Sequence, residues 1–533
     1  MQHFIATLCC ALAMIATAFP AYANLDFDAD GLHYTLLSEE EGTVTVDRID
    51  NSIEADLVIP QKVTYDGRTY SVTAISDRAF YNCRHLTSVN IPESITSIGE
   101  EAFRMCDNLT SITIPNSVEY IGDYAFVECS IMENICVDTD NPTYSSVDGL
   151  LMSKDRTKLI TCPEGKNCDL TIPNTVTSIE KYSFFHCNLK SVIIPASVTT
   201  IGEDAFYYSF NLTKVTIPAS VISIGIRAFA DCPMLQNISV DPENQFYSSV
   251  DGLLLSKDQT KFIQCPGARS HITIPDCVTS IEGYSFITYK LKSVNIPSSV
   301  TTICDRGFWQ CSGITTVDIP NSVTSIGERA FEYCRALTSV SLPNSITSIE
   351  SITFGGCWSL ESIDIPQSVT SIGEFVFSNC SNLASITLPN SVTSIGTGAF
   401  GNCTSLSTIE NQSKTPVECT PHFREEIYST ATLYIPTGTL ASYRKVAPWM
   451  NFLNIAEKEF NGINGTSAEG KPSPMITVIG GTVIISGIAG DESISICDMQ
   501  GRAVYNGTEK DITGLAPGIY VLKTGSGTIK FAI

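Results

Sequence analysis

Histidine is scarce, with six copies in 533 residues, and it is the commonest general base and metal ligand. Basic residues are few as well. Lys and Arg total 32 against 56 Asp and Glu, a formal charge of −24 with a pI near 4.6. So acidic a chain repels phosphate backbones, which argues against nucleic-acid partners. Beyond residue 23 no stretch of 18 uninterrupted apolar residues occurs, so no transmembrane segment is expected in the mature chain. Charged residues reach only 17% against 43% hydrophobic, which excludes a disordered chain and a coiled coil. Catalytic signatures are missing too: there is no HExxH, no zinc-type cysteine cluster, no Walker loop, GxGxxG or GxSxG. The sequence therefore supports no enzyme activity, cofactor or metal.

What is present begins with an uncharged, apolar leader from Phe4 to Phe19, followed by the small-residue site Ala21-Tyr22-Ala23. This layout predicts a secretory signal peptide over residues 1–23, cleaved between Ala23 and Asn24, although Met1-Gln2-His3 contains no Lys or Arg. A membrane anchor is the alternative, but the run is short for a bilayer core. At the other end, residues 459–474 are rich in Gly, Ser and Pro and read as a linker. Short alternating runs with glycine turns then predict a small β-sandwich over 475–533.

Between these ends the chain repeats. Ile-Pro and Leu-Pro dipeptides recur from Pro92 to Pro389 at steps of 22 or 23, with two longer steps of 58 and 57. Written once, the unit is L-T-S-V-x-I-P-x-S-V-T-S-I-G-x-x-A-F-x-x-C. A period of this length with this Leu and Ile spacing marks a leucine-rich solenoid. In Leu337–Leu342, Val340 and Leu342 point inward from a short strand while Ser339 and Ser341 point out. Pro343 ends the strand, Val323 and Ile326 return to the core, and Gly327 is expected to supply a permissive corner. Ala330, Phe331 and Cys334 close the coil. About fifteen coils at ~4.8 Å per strand give a body roughly 70 Å long. The fold class is thus mainly β, a solenoid of 23-residue period followed by a small C-terminal β-sandwich. The solenoid is assigned to residues 75–410, after an N-terminal β capping segment (24–74) and before a C-terminal cap (411–458).

The repeat also explains most of the 20 cysteines. Cys83, Cys106, Cys129, Cys187, Cys232, Cys311, Cys334, Cys357, Cys380 and Cys403 share one slot in stacked coils. Their side-chain vectors run parallel, whereas a disulfide needs converging Cβ atoms, so a ladder of buried thiols is expected. Ser209 and Tyr289 fill the same slot elsewhere. Extracellular disulfides are the alternative, and it stays open for Cys162 with Cys168 and Cys265 with Cys277, which lie in less regular stretches.

Both long steps hold copies of one insertion, residues 137–163 and 240–266, offset by 103. They share an Asn (Asn141, Asn244), a Tyr (Tyr144, Tyr247) and the run Ser-Ser-Val-Asp-Gly-Leu-Leu. Each reads as a β-hairpin turning at Lys154-Asp155 or Lys257-Asp258.

The unit SxTSIGExAFxxCxxLTSVxIPxSVTSI resembles the BspA-type leucine-rich repeat over about residues 75–410. Flanking stretches resemble that family's opening segment (Leu57–Pro60, Tyr70–Ile75) and closing segment (Thr432–Pro436, Ala441–Tyr443, Trp449–Phe452). The final ~60 residues resemble the C-terminal sorting domain of type IX secretion in Bacteroidetes-type bacteria, through Asp498, Gly501-Arg502, Leu515, Gly518-Ile519-Tyr520 and Lys530. These resemblances imply a secreted or outer-surface protein that adheres to host extracellular matrix proteins or to bacterial surface macromolecules. An envelope scaffold with no dedicated ligand is the alternative.

Asp26-Phe27-Asp28-Ala29-Asp30-Gly31 begins like a calcium loop, but Leu37 stands where a bidentate Glu is required, and a hairpin turning at Asp30-Gly31 fits better. Five histidines follow the leader: His33, His85, His186, His271 and His422. Of these, His85 and His186 occupy variable positions expected to be solvated. Acid pairs such as Glu100-Glu101 read as exposed and solubilising. The outward strand positions form the candidate ligand-facing stripe: Asn90, Thr113, Thr216, Asn295, Asp318, Ser341, Asp364 and Thr387, with Ile193 in the same line. A second stripe, two residues earlier, is mostly serine. Short polar residues also suit a pleated surface with no ligand; as a ligand wall they favour weak multivalent contact.

Overall fold

The computed structural model describes residues 25–47, 55–288, 290–417 and 423–460, together with most of the strands between 475 and 532. The expected signal peptide, its cleavage site Ala23/Asn24, Tyr289, His422 and most of the linker lie outside the described residues. The chain divides into two compact units, up to Glu457 and from Lys458 onward.

The first unit is a β-solenoid. Most coils contribute two short strands, such as Thr316–Asp318 and Ser325–Ile326, each pairing in parallel with its counterpart one coil away. A tight turn through Ala330, Phe331 and Cys334 makes the third side. Burial alternates as the sequence pattern requires: Val317, Ile319, Val323 and Ile326 are inside while Thr316 and Asp318 are exposed. On the turn side the Phe rings stack from coil to coil, with centroids 4.5–5.8 Å apart from Phe262 to Phe400. Recurrent Ser and Thr act as rungs between coils. Ser322 donates to Val300 O at 2.7 Å, and Ser117, Ser197, Ser220 and Ser391 repeat the bond in their own coils.

Gly327 does not serve the corner through a positive φ. A Cβ there would lie 2.4 Å from the backbone N of Asp305, so the glycine permits close approach of neighbouring coils. Left-handed backbone falls instead on two other residues in most coils, such as Arg329 (φ 58°) and Tyr333 (φ 60°).

The insertions are not simple hairpins. Each is a three-stranded antiparallel meander: Tyr144–Val147, Leu150–Ser153 and Lys158–Thr161, repeated as Tyr247–Val250, Leu253–Ser256 and Lys261–Gln264. The additional turn is Asp148-Gly149 (φ 51° and 77°), or Asp251-Gly252 in the second copy. Positive φ at both central residues is the tight hairpin geometry that Asp-Gly favours. The third strand rejoins the solenoid by parallel pairing with Ser178–Ile179 or Ser280–Ile281. The middle strand partitions the core. Leu151 packs into the cluster that begins at Phe27, while Leu150 and Met152 pack into the next. Leu254 and its neighbours Leu253 and Leu255 divide the second cluster from the third in the same way.

The shared Asn anchors each meander. Asn141 is fully buried; its amide donates to Pro115 O (2.8 Å) and Val118 O (2.9 Å), and its Oδ1 accepts from the N–H groups of Thr143 and Tyr144. Asn244 makes the same four bonds one block later.

Both ends of the stack are covered. At the start, the hairpin Asp26–Ala29/Leu32–Ser38 turns at Asp30-Gly31 (φ 50° and 77°) and buries Phe27 and Tyr34. At the close, Thr432–Pro436 adds to the strand ladder, and Phe423, Trp449 and Phe452 pack beyond Phe400. The second unit holds a three-stranded and a four-stranded sheet, with Val483 and Ile512 of one sharing a core with Ile494, Ile496, Tyr520 and Leu522 of the other.

Candidate functional site: the strand face

The stripe positions align in register along one side of the solenoid. Asn90 pairs with Val58, Thr113 with Cys136, Thr216 with Ser239, Asn295 with Thr273, Asp318 with Ser341, and Asp364 with Thr387. All of the candidate residues are exposed except half-buried Thr387, and Ile193 is 60% exposed. The stripe is also longer than the repeat pattern suggested. Register carries it on from Thr387 to Glu410 and Tyr434. The insertions and the cap break the sequence motif at Val58, Cys136 and Tyr434, but not the pairing. In the C-terminal part, acids stand at every second coil: Asp318, Asp364 and Glu410. At ~4.8 Å per strand these lie roughly 10 Å apart.

The second stripe carries cross-strand pairs. Ser88 donates to Asp56 and Ser191 to Asp169, both at 2.6 Å, and His271 Nδ1 lies 2.7 Å from Ser293 Oγ. Two shallow hollows open on this face. One, of about 640 Å³, includes Asn90, Thr113 and Asp138; the other, of about 310 Å³, includes Ser341, Asn344 and Asp364. The strand-ending prolines, Pro92 and Pro366 among them, form part of their walls.

The ten ladder cysteines are all buried and unpaired. From Cys334 to Cys403 each thiol donates to the Phe carbonyl of the preceding coil at 3.1–3.2 Å. Ser209 makes the equivalent bond to Phe184 O at 2.9 Å. Burial raises the thiols of Cys232, Cys311 and Cys403 well above their ordinary range, to about 12. Cys162 is not joined to Cys168, nor Cys265 to Cys277; the first of each pair is buried and the second exposed. Cys162 instead lies directly below the ladder, its carbonyl accepting from Cys187 Sγ at 3.2 Å.

Two further expectations are corrected on the turn edge. Glu101 is not a solubilising surface acid: it is buried and held by Arg78 (2.6 Å) and Arg104 (2.7 Å). Burial pushes its carboxyl up, but the hydrogen bonds from Arg104 and Arg78 outweigh it and hold the carboxyl below the usual range. Glu100 does stay exposed. His186 is half-buried against Phe185 and Tyr208, and desolvation lowers its pKa. In the N-terminal hairpin Asp28 meets His33 at 2.7 Å, and among the described residues no group of acids, His and Cys could hold a metal ion.

A family profile described as BspA type leucine rich repeat region matches residues 68–147, 164–250, 258–359 and 307–418. The chain belongs to the BspA-type leucine-rich repeat family. Among solved structures, a leucine rich cell surface protein of Faecalibacterium prausnitzii shares 30% identity, with 74% of this chain and 96% of that chain covered at a TM-score of 0.42. A leucine-rich repeat protein of Bacteroides ovatus shares 22% over 81% of this chain and 100% of that one, with a TM-score of 0.36. The pneumococcal vaccine antigen PcpA shares 19% over 82% and 99%, with a TM-score of 0.37. No curated protein sequence matches. The BspA-type profile describes a repeat and names no enzymatic activity. Among the described residues, no helix is long and apolar enough to cross a membrane.

Proposed function

We propose that this BspA-type protein is exported and uses its strand face to adhere to host matrix proteins or to other bacterial cells. The observation that carries this reading is the polar stripe, in register across neighbouring coils, with exposed Asp318 and Asp364 and half-buried Glu410 at alternate coils. A partner presenting basic side chains at a matching spacing gains several weak contacts at once, and linked weak contacts add to an avidity that no single one provides. The two hollows on the same face supply shape beside the charge. The apolar leader and the C-terminal β-module, with its sorting-domain resemblance, support placement at the outer surface.

The test is retention of purified protein on immobilised matrix proteins and on whole bacterial cells, with and without the double change Asp318→Lys and Asp364→Lys. Retention that falls at least tenfold with the double variant, and that weakens as salt rises, supports the reading. Failure to be retained on any surface favours an envelope scaffold with no dedicated ligand, and equal retention of both proteins would contradict the role given to the strand-face acids. Surface labelling of intact cells, with and without residues 475–533, tests the role of the C-terminal module.

A further inference from the structure

The turn edge carries a recess that the repeat does not require. In the coils around it the residue just before the ladder position takes a left-handed conformation, as at Tyr208 (φ 57°), Asp231 (φ 49°), Gln310 (φ 55°) and Tyr333 (φ 60°), whereas Thr288 of the intervening coil does not. Between Asp231 and Gln310 lies the coil of Phe286, where buried Ile287 and Thr288 form a floor. Above it opens a cavity of about 290 Å³, walled by Tyr208, Asp231, Gln310, Ser312, Tyr333 and Arg335.

Internal duplication shows how the recess arose. Ile287-Thr288 correspond to Phe185-His186 of the preceding block, whose two rings fill the equivalent space by stacking at 4.8 Å. Asp231 corresponds to Glu128, which Arg104 pairs at 2.8 Å. The residue corresponding to Arg104 is Tyr207, so the second block has exchanged that cation for a ring. Asp231 is only 9% exposed; burial raises its carboxyl, and a hydrogen bond from the Tyr208 hydroxyl offsets part of that effect. Its carboxylate lines the cavity without a cation of its own among the described residues. On the far side, the Arg335 guanidinium is held over the Trp358 ring at 4.6 Å and near Tyr333 at 5.9 Å.

The chemistry of the wall selects its ligand. A carboxylate and a guanidinium in one cavity cancel formally, which disfavours both a simple cation and a simple anion. Carboxylate, amide, guanidinium and hydroxyl together offer paired donors and acceptors that match vicinal hydroxyl groups. The tyrosine faces suit an apolar C–H surface. The volume is at the small end of ligand sites, enough for one ring and not for an extended chain. We propose that this recess binds a single neutral pyranose unit, such as the terminal residue of a glycan. It shares no residue with the strand face, so the two surfaces can be tested separately.

The experiment is saturation-transfer NMR on the full chain with a panel of neutral methyl pyranosides, alongside N-acetyl-lysine amide as a cationic probe. At least one pyranoside is expected to bind with a dissociation constant on the order of 1 mM, the range for so small a ligand. Thr288→His, which restores the filling residue of the preceding block, and Asp231→Asn should each weaken that binding about tenfold or more. Hydroxyl-radical labelling of Tyr208 and Tyr333 in the unaltered protein should fall when the sugar is present, which locates the site even where a variant does not fold. Absence of transfer to every pyranoside, undiminished binding in folded variants, or unprotected tyrosines would overturn the proposal. So would binding of the lysine probe in place of the sugars.

Discussion

Glu164 is the residue whose surroundings leave the clearest mark on stability. It is buried beside Glu128, whose backbone N–H it accepts, and desolvation pushes its carboxyl up to about 8. An unfolded Glu titrates near ~4.3. Between those two values the folded chain keeps the proton and the unfolded chain has lost it, so folding takes up a proton and stability falls as pH rises across the window. Glu164→Gln retains the acceptor without the charge. The variant's melting temperature should match the native protein's near pH 4 and exceed it by a growing margin up to about pH 8. A difference that stays constant across that range would contradict the assignment. Asn244 makes a second test at this scale. Asn244→Ala leaves Val221 O and the N–H groups of Phe246 and Tyr247 unpartnered, while Pro218 O keeps the Val221 N–H, and should cost about 3 kcal/mol in urea unfolding; a loss under about 1 kcal/mol would show that water replaces the amide.

Single elements show how much was legible in the sequence. Strand, core and turn positions of the coil follow from hydrophobic alternation and the 23-residue spacing, because stacking forces every copy into one register. The strand-face stripe was legible for the same reason, up to the points where Val58, Cys136 and Tyr434 interrupt the motif. Features set by contacts between coils were not. Gly327 looked like a corner residue and is instead a point of close approach; Glu101 looked solvated and is buried under two arginines. The Asp-Gly turn inside each insertion was a readable signal that yielded to the Lys-Asp turn beside it, and both turns exist. Nothing in the spacing foretold the recess, which depends on what two coils lack. For the cysteine element, Ser209 shows that the slot accepts a hydroxyl. Cys357→Ser should therefore cost no more than about 1.5 kcal/mol, whereas Cys357→Leu should cost about 1–3 kcal/mol through overpacking. In the folded protein the ladder thiols should resist alkylation; after unfolding without reductant they should all react. A ladder thiol that reacts only once reductant is added would mean a disulfide.

Across the solenoid unit, stability is distributed among neighbouring coils rather than gathered in one centre. No coil buries its apolar residues alone, and each meander strand divides the core between Leu150 and Leu151 or between Leu253 and Leu254. The polar stripe is then a by-product of stacking: identical outward positions fall into line because inward ones must. Hydrogen–deuterium exchange read by mass spectrometry tests this most directly. The account predicts protected amides recurring every 23 residues from about 75 to 410, at the Ser-Val and Ser-Ile strands, with wider protected bands at 144–161 and 247–264. Protection concentrated in one segment, with no recurrence at the repeat period, would contradict it.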